Sequence, residues 1–247
     1  MRRFLITWRS RTTQRIHPVG LLVADVADFR FTYVPGVHDL DGVHDLDAFR
    51  PFVNFPDLQD VYESRQLFPF FSQRVMDRRR PDFPGYARAL GLPADATDIE
   101  VLARTRGQRK GDTVQVISEP VIRAQGIVDH TFLISGVQHI AGDAPNAIGR
   151  LKQGEPLLIR PDIGNHVNPD AQLVCSEDSQ ALGWVPDALI DFILAVADGP
   201  YTLRVERANG PEWPSHMSLV ARLQGTVAPG FRPFSVLEPI AVGQQIV

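Results

Sequence analysis

The chain has one cysteine, Cys175, in 247 residues. A single thiol excludes an internal disulfide and any zinc site built from several cysteines. No run of 18 apolar residues occurs, so no helix is expected to cross a membrane. The apolar run after Met1-Arg2-Arg3 spans about four residues, too short for a secretory leader. A cytoplasmic location is the expectation. Catalytic signatures are missing too. There is no Gly-x-Ser-x-Gly, no His-Glu-x-x-His, no Cys–His pairing and no Gly-Lys-Ser/Thr phosphate loop. The reading is a non-enzymatic protein without cofactor or structural metal.

Net positive charge is also lacking. The formal net charge is −4. Residues 1–116 carry 17 Lys+Arg against 15 Asp+Glu, while residues 117–200 carry 4 against 11. Acidic surface repels phosphates and attracts basic partners.

What is present is a globular composition, 44% hydrophobic, with 20 Pro and 19 Gly spread along the chain. That pattern predicts many short elements separated by turns. Alternation at Phe4, Ile6 and Trp8, then residues 19–23 and 29–33, predicts a β-meander. A tandem hexapeptide, Gly-Val-His-Asp-Leu-Asp at 36–41 and 42–47, reads as a duplicated surface loop. Its His38, Asp39, His44 and Asp45 are metal-ligand types, but duplication alone doubles them. Residues 58–76 look helical in places, with a break at Pro69. Residues 83–90 and 97–104 read as short helices, the second opened by a capping box of Thr97 and Glu100. Arg78-Arg79-Arg80 is a basic cluster that suits a solvated helix end better than a phosphate contact. Residues 107–113 form a solvated turn.

Strands are expected at 126–140, 155–160, 171–176, 180–185, 201–207 and 217–223. A helix from Pro186 to about Ala197 would bury Leu189, Ile190, Ile193 and Val196. Cys175 reads as a buried small hydrophobe. The fold class is α+β, mainly β. The expected domains are a mixed one over 1–118, of β-meander plus short helices, a β-rich one over 124–235, and a tail over 236–247.

Three pieces in order carry a resemblance. They are Phe132-Leu133-Ile134-Ser135-Gly136-Val137-Gln138-His139, then Asn165-His166-Val167-Asn168-Pro169-Asp170-Ala171, then Leu182-Gly183-Trp184-Val185-Pro186. Together they resemble the HIRAN domain, a small β-barrel with one or two helices. The resemblance implies recognition of single-stranded DNA or a DNA end, in repair, defence or regulation. Carried over, the nucleic-acid-binding positions are Gln138, His139, Asn165, Val167, Asn168 and Asp170. Trp184 would stack a base. Arg150, Lys152 and Arg160, the only Lys or Arg between 124 and 203, would meet phosphates. Departures are present: Gln138-His139 replaces Arg-Tyr, His166 replaces Pro, Asn168 replaces Asp, and Asp170 replaces Asn. Trp184 also reads as a core residue under the following helix, and the Asn and Asp positions as turn residues.

The first half is more distantly similar to the N-terminal subdomain of HipA-type toxin kinases. The residues are Val19-Gly20-Leu21-Leu22, Phe29, Phe31, Tyr33, Phe55-Pro56-Asp57-Leu58 and Leu67 to Phe71. No kinase core follows, so this resemblance implies a regulator. The alternative function is therefore a protein–protein module, controlling a toxin-like kinase or serving a larger toxin–antitoxin, repair or defence assembly.

Overall fold

The computed structural model describes residues 1–26, 28–37, 48–109 and 111–234. Most of the hexapeptide repeat, the metal-ligand types in it, Lys110 and the 236–247 tail lie outside those residues. The architecture is α+β and mainly β, with few helices and several antiparallel sheets. No helix among the described residues is long and apolar enough to cross a membrane.

Contacts divide the chain into two units. The first joins Met1–Val75 to Arg106–Glu119. Its sheet has the order β4-β3-β2-β1-β5. The strands are β1 (Arg2–Arg9), β2 (Ile16–Ala24), β3 (Phe29–Tyr33), β4 (Val61–Ser64) and β5 (Val114–Ser118). Neighbours are antiparallel throughout. The first three strands are the expected meander. The helical expectation for 58–76 is corrected. Only α1 (Pro69–Ser72) is helical there, and Val61–Ser64 pairs with β3 as an edge strand. Its apolar residues serve a cluster of rings rather than one helix face. Phe31 lies 4.2 Å from Phe55, centroid to centroid, and both are fully buried. The Tyr33 hydroxyl accepts the Phe52 N–H and donates to the Phe55 carbonyl, both at 2.8 Å. Burial pushes that phenol up to about 12.

The second unit joins Met76–Thr105 to Pro120–Pro233. It therefore takes in a segment that a linear division at 118–124 assigns to the first half. That segment holds α2 (Phe83–Ala89) and α3 (Asp98–Thr105). Thr97 and Glu100 form the capping box. Glu100 accepts the Thr97 N–H at 2.8 Å, and Thr97 Oγ1 accepts the Glu100 N–H at 3.3 Å. Two polar ties fasten the segment. Arg104 donates to the Leu90 carbonyl at 2.7 Å and to Thr131 Oγ1 at 2.6 Å. Buried Asn209 donates to the carbonyls of Ala89 and Met217, at 2.8 and 2.6 Å. The three arginines at 78–80 sit beside acceptors. Arg79 and Arg80 pair with Asp77 and Asp82, and Arg78 donates to the Asp95 carbonyl.

The rest of this unit is two three-stranded antiparallel sheets. One is ordered β10-β11-β6, from β6 (Ile127–Leu133), β10 (Thr202–Ala208) and β11 (Leu219–Thr226). The other is β7-β8-β9, from β7 (Leu157–Pro161), β8 (Gln172–Ser176) and β9 (Ala181–Trp184). The expected closed barrel is not found. Single bridges, Ser135 to Trp184 and Pro156 to Arg204, join the sheets where continuous ladders would be needed. The expected strand over 126–140 stops at Leu133, because Gly136 takes a positive φ and a 3-10 turn follows at Val137–His139. Helix α4 (Ala144–Arg150) was not anticipated. Helix α5 (Ile190–Ala197) follows a 3-10 turn at Asp187–Leu189 and buries Ile190, Phe192, Ile193 and Val196. Cys175 is buried in β8, and burial pushes its thiol up, which keeps it protonated near neutral pH.

Candidate binding site around Trp184

The last residue of β9 is Trp184, half-buried at the sheet edge. Its backbone exchanges hydrogen bonds with Ser135, N–H to carbonyl, at 2.9 and 2.7 Å. That close approach needs two glycines. A Cβ on Gly183 would stand 2.6 Å from the Ser135 carbonyl oxygen. One on Gly136 would stand 2.5 Å from the indole ring. Gly136 also has φ +68°, a conformation that strains other residues. The ring is thus seated on the turn that carries exposed Gln138 and His139.

The other side of the indole is held by a residue the sequence did not single out. Trp184 Nε1 donates to Asp162 Oδ2 at 2.8 Å, and Asn165 Nδ2 donates to the same oxygen at 2.8 Å. Asn165 Oδ1 in turn accepts the N–H groups of Val167 and Asn168, both at 3.0 Å. Asn168 Oδ1 accepts the Asp170 N–H at 3.0 Å. The 162–171 loop closes on itself through Asp162 N–H to the Ala171 carbonyl, 2.9 Å. Asn165 and Asn168 therefore act as turn residues, with their side-chain oxygens engaged inside the loop. Val167 is 44% exposed and Ile163 is 95% exposed. Asp170 is exposed.

Register places Arg160 of β7, Leu173 of β8 and Trp184 of β9 in one row across the sheet. Directly paired residues point to the same face, so Arg160 and Trp184 share it. Arg160 is exposed and donates to Ser179 Oγ at 2.7 Å. The structure thus brings together Trp184, Gln138, His139, Arg160 and the 165–170 loop. Arg150 and Lys152 are not tied to this group. Among the described residues no hydrogen bond or ring contact joins either to Trp184. Arg150 donates to the Asn146 carbonyl of its own helix at 3.2 Å. It also lines an open cavity of about 550 Å³ with Asp143, Asn146 and Glu212. Among the described residues no cluster of His, Cys, Asp and Glu is arranged to hold a metal.

Chemically, the site offers an aromatic edge, an exposed imidazole and a carboxylate. That carboxylate uses two of its roughly four acceptor positions. The only cation in its row is Arg160. Comparison with known proteins adds nothing to this geometry: no family model, curated protein or solved structure matches the chain.

Proposed function

We propose that the second unit is a HIRAN-like, non-catalytic binding module and that its ligand is the end of a single DNA strand. The placement of Trp184 carries the reading. The ring is pinned by Asp162 and seated on Gly136 at a sheet edge, not sunk beneath α5. A pre-positioned ring stacks a base at little ordering cost. The Asp162 carboxylate suits a terminal hydroxyl, which donates a hydrogen bond, and disfavours a terminal phosphate. A site that reads the hydroxyl and the last base tolerates an acidic surround better than one that grips a phosphate backbone.

The test uses the full chain and a labelled oligothymidine ending in a free 3′ hydroxyl or a 3′ phosphate. Trp184→Ala is expected to weaken hydroxyl-ended binding by about 1–3 kcal/mol. Its stability should fall by no more than the roughly 1–3 kcal/mol that loss of the Asp162 hydrogen bond costs. A buried tryptophan would instead lose about 3–5 kcal/mol of stability on truncation. Absence of binding at about 50 mM salt, or equal binding of both ends, overturns the reading.

One observation favours a second reading, a protein–protein module. Ile163 and Val167 project from a loop that also carries Asp162 and Asp170. Exposed apolar tips among carboxylates fit a partner segment that is basic and apolar. Under this reading no oligonucleotide binds, and Ile163→Asp disrupts the partner complex.

A further inference from the structure

The second unit holds a cleft that the Trp184 site does not use. It lies where α4 meets the turn after β10. Both walls are fixed from behind. Helix α4 buries Ala144 and Ile148, and at its start Asn146 Nδ2 donates to Asp143 Oδ2 at 2.7 Å. The turn begins at Asn209, whose N–H donates to the Ser218 carbonyl at 2.8 Å and whose buried side-chain amide holds Ala89 and Met217. Trp213 N–H closes the turn on the Gly210 carbonyl at 3.0 Å.

Two glycines line the cleft where the walls touch. A Cβ on Gly149 would stand 3.3 Å from Gly210 Cα and 3.6 Å from Pro211 Cδ. Neither glycine has a positive φ, so space and not backbone conformation is what a side chain would take here. The Glu212 carboxylate folds back over Gly210, where a Cβ on that residue would collide with it. The cavity of about 550 Å³ falls in the size range of small-molecule sites.

Three charged groups line it, the Arg150 guanidinium and the carboxylates of Asp143 and Glu212. Among the described residues no ion pair joins the guanidinium to either acid, and Glu212 accepts no hydrogen bond. Arg150 Nε is held by the Asn146 carbonyl at 3.2 Å, which leaves its terminal nitrogens for a ligand. Opposite charges that share a cleft without pairing are complemented by a molecule that carries the reverse set. One cation and two anions call for one anion and two cations. A free basic amino acid has that set in its α-carboxylate, its α-ammonium and its side chain.

We propose that this cleft binds a free basic α-amino acid of the lysine or arginine class. The α-carboxylate would sit on the terminal nitrogens of Arg150, a fork that matches a carboxylate with two parallel bonds. The α-ammonium and the side-chain cation would take Asp143 and Glu212, one each. The proposal uses none of the residues of the Trp184 site and is independent of any strand-end ligand there.

The experiment titrates the full chain by calorimetry at about 50 mM salt, where exposed charges are screened less than at physiological strength. The probes are L-lysine, L-arginine and lysine analogues that each lack one charge: cadaverine without the carboxylate, Nα-acetyl-lysine without the α-ammonium, and norleucine without the side-chain cation. Lysine or arginine should saturate one site with a Kd below about 1 mM. Each analogue should bind about 10- to 100-fold more weakly than lysine, as expected for the loss of one charged hydrogen bond. Arg150→Ala should weaken lysine by a similar factor and leave cadaverine unchanged, so that the preference for lysine over cadaverine disappears. Glu212→Gln should also weaken lysine. Both side chains are exposed, so these variants should melt as the parent does. Absence of saturable binding below about 1 mM for both amino acids overturns the proposal. So does cadaverine binding as tightly as lysine, which would mean that the two acids attract any cation. A lysine preference that survives Arg150→Ala overturns it as well, because the carboxylate is then held elsewhere.

Discussion

The indole N–H of Trp184 and the carboxylate of Asp162 meet at 2.8 Å across 22 residues of sequence. This bond couples the edge of β9 to the loop after β7. Removing the acceptor strands two partly buried donors, Trp184 Nε1 and Asn165 Nδ2. Asp162→Ala should cost about 1–3 kcal/mol of stability. Asp162→Asn keeps one oxygen acceptor and should recover much of that loss. Urea melts of the two variants, with the tryptophan emission maximum recorded, test this. Equal midpoints for Asp162→Ala and the parent would show that the bond does not hold the loop.

His130 makes stability depend on pH. Its ring lies between Phe132 and Phe192, with centroids at 6.2 and 5.5 Å. Burial, then the nearby Arg104 charge, pushes it down to about 4 from 6.5, against a smaller opposing pull from Asp129. The folded state therefore binds fewer protons than the unfolded state between those values. Stability is lost as pH falls from about 6.5 towards 4, and the loss approaches about 3 kcal/mol. The Asp129 carboxyl, held low mainly by its hydrogen bond from Arg222, adds loss in the same direction at lower pH. His130→Gln should flatten the upper part of the curve. Urea midpoints at pH 7, 5.5 and 4.5 would show parallel lines for the two proteins if the imidazole has no such role.

Asn209 links parts of the second unit that are far apart in sequence. Asn209→Ala leaves the carbonyls of Ala89 and Met217 without this donor. The expected cost is about 2–4 kcal/mol. Hydrogen exchange should quicken in α2 more than in β7–β9. Uniform acceleration across the unit would mean that Asn209 is not a local fastening.

Much of this was legible in the sequence where the cause is local. The capping box at Thr97 and Glu100 spans four residues and reads directly. Alternation identified β1 and β3, a short β-like apolar run identified β2, and helical spacing identified α5. The turn character of Asn165 and Asn168 was also readable, because their partners lie within three residues. Helix α4 was missed because Pro145, Asn146 and Gly149 read as turn formers. The 58–76 stretch misled because rings that gather from several elements mimic a helix face. Asp162 gave no signal at all, since the indole it holds is 22 residues away. Nor does local pattern reveal that α2 and α3 belong with strands that come later.

That discontinuity has a consequence for synthesis. The α2–α3 segment leaves the ribosome before any of its packing surface exists. Thr131, the hydroxyl partner of Arg104, follows 27 residues later, and Asn209 follows Ala89 by 120. At typical elongation rates that second interval lasts about 6–24 s. During it the native surroundings of α2 and α3 are assembled only in part, β6 emerging well before β10 and β11. Completion of the second unit is therefore tied to the arrival of β10 and β11.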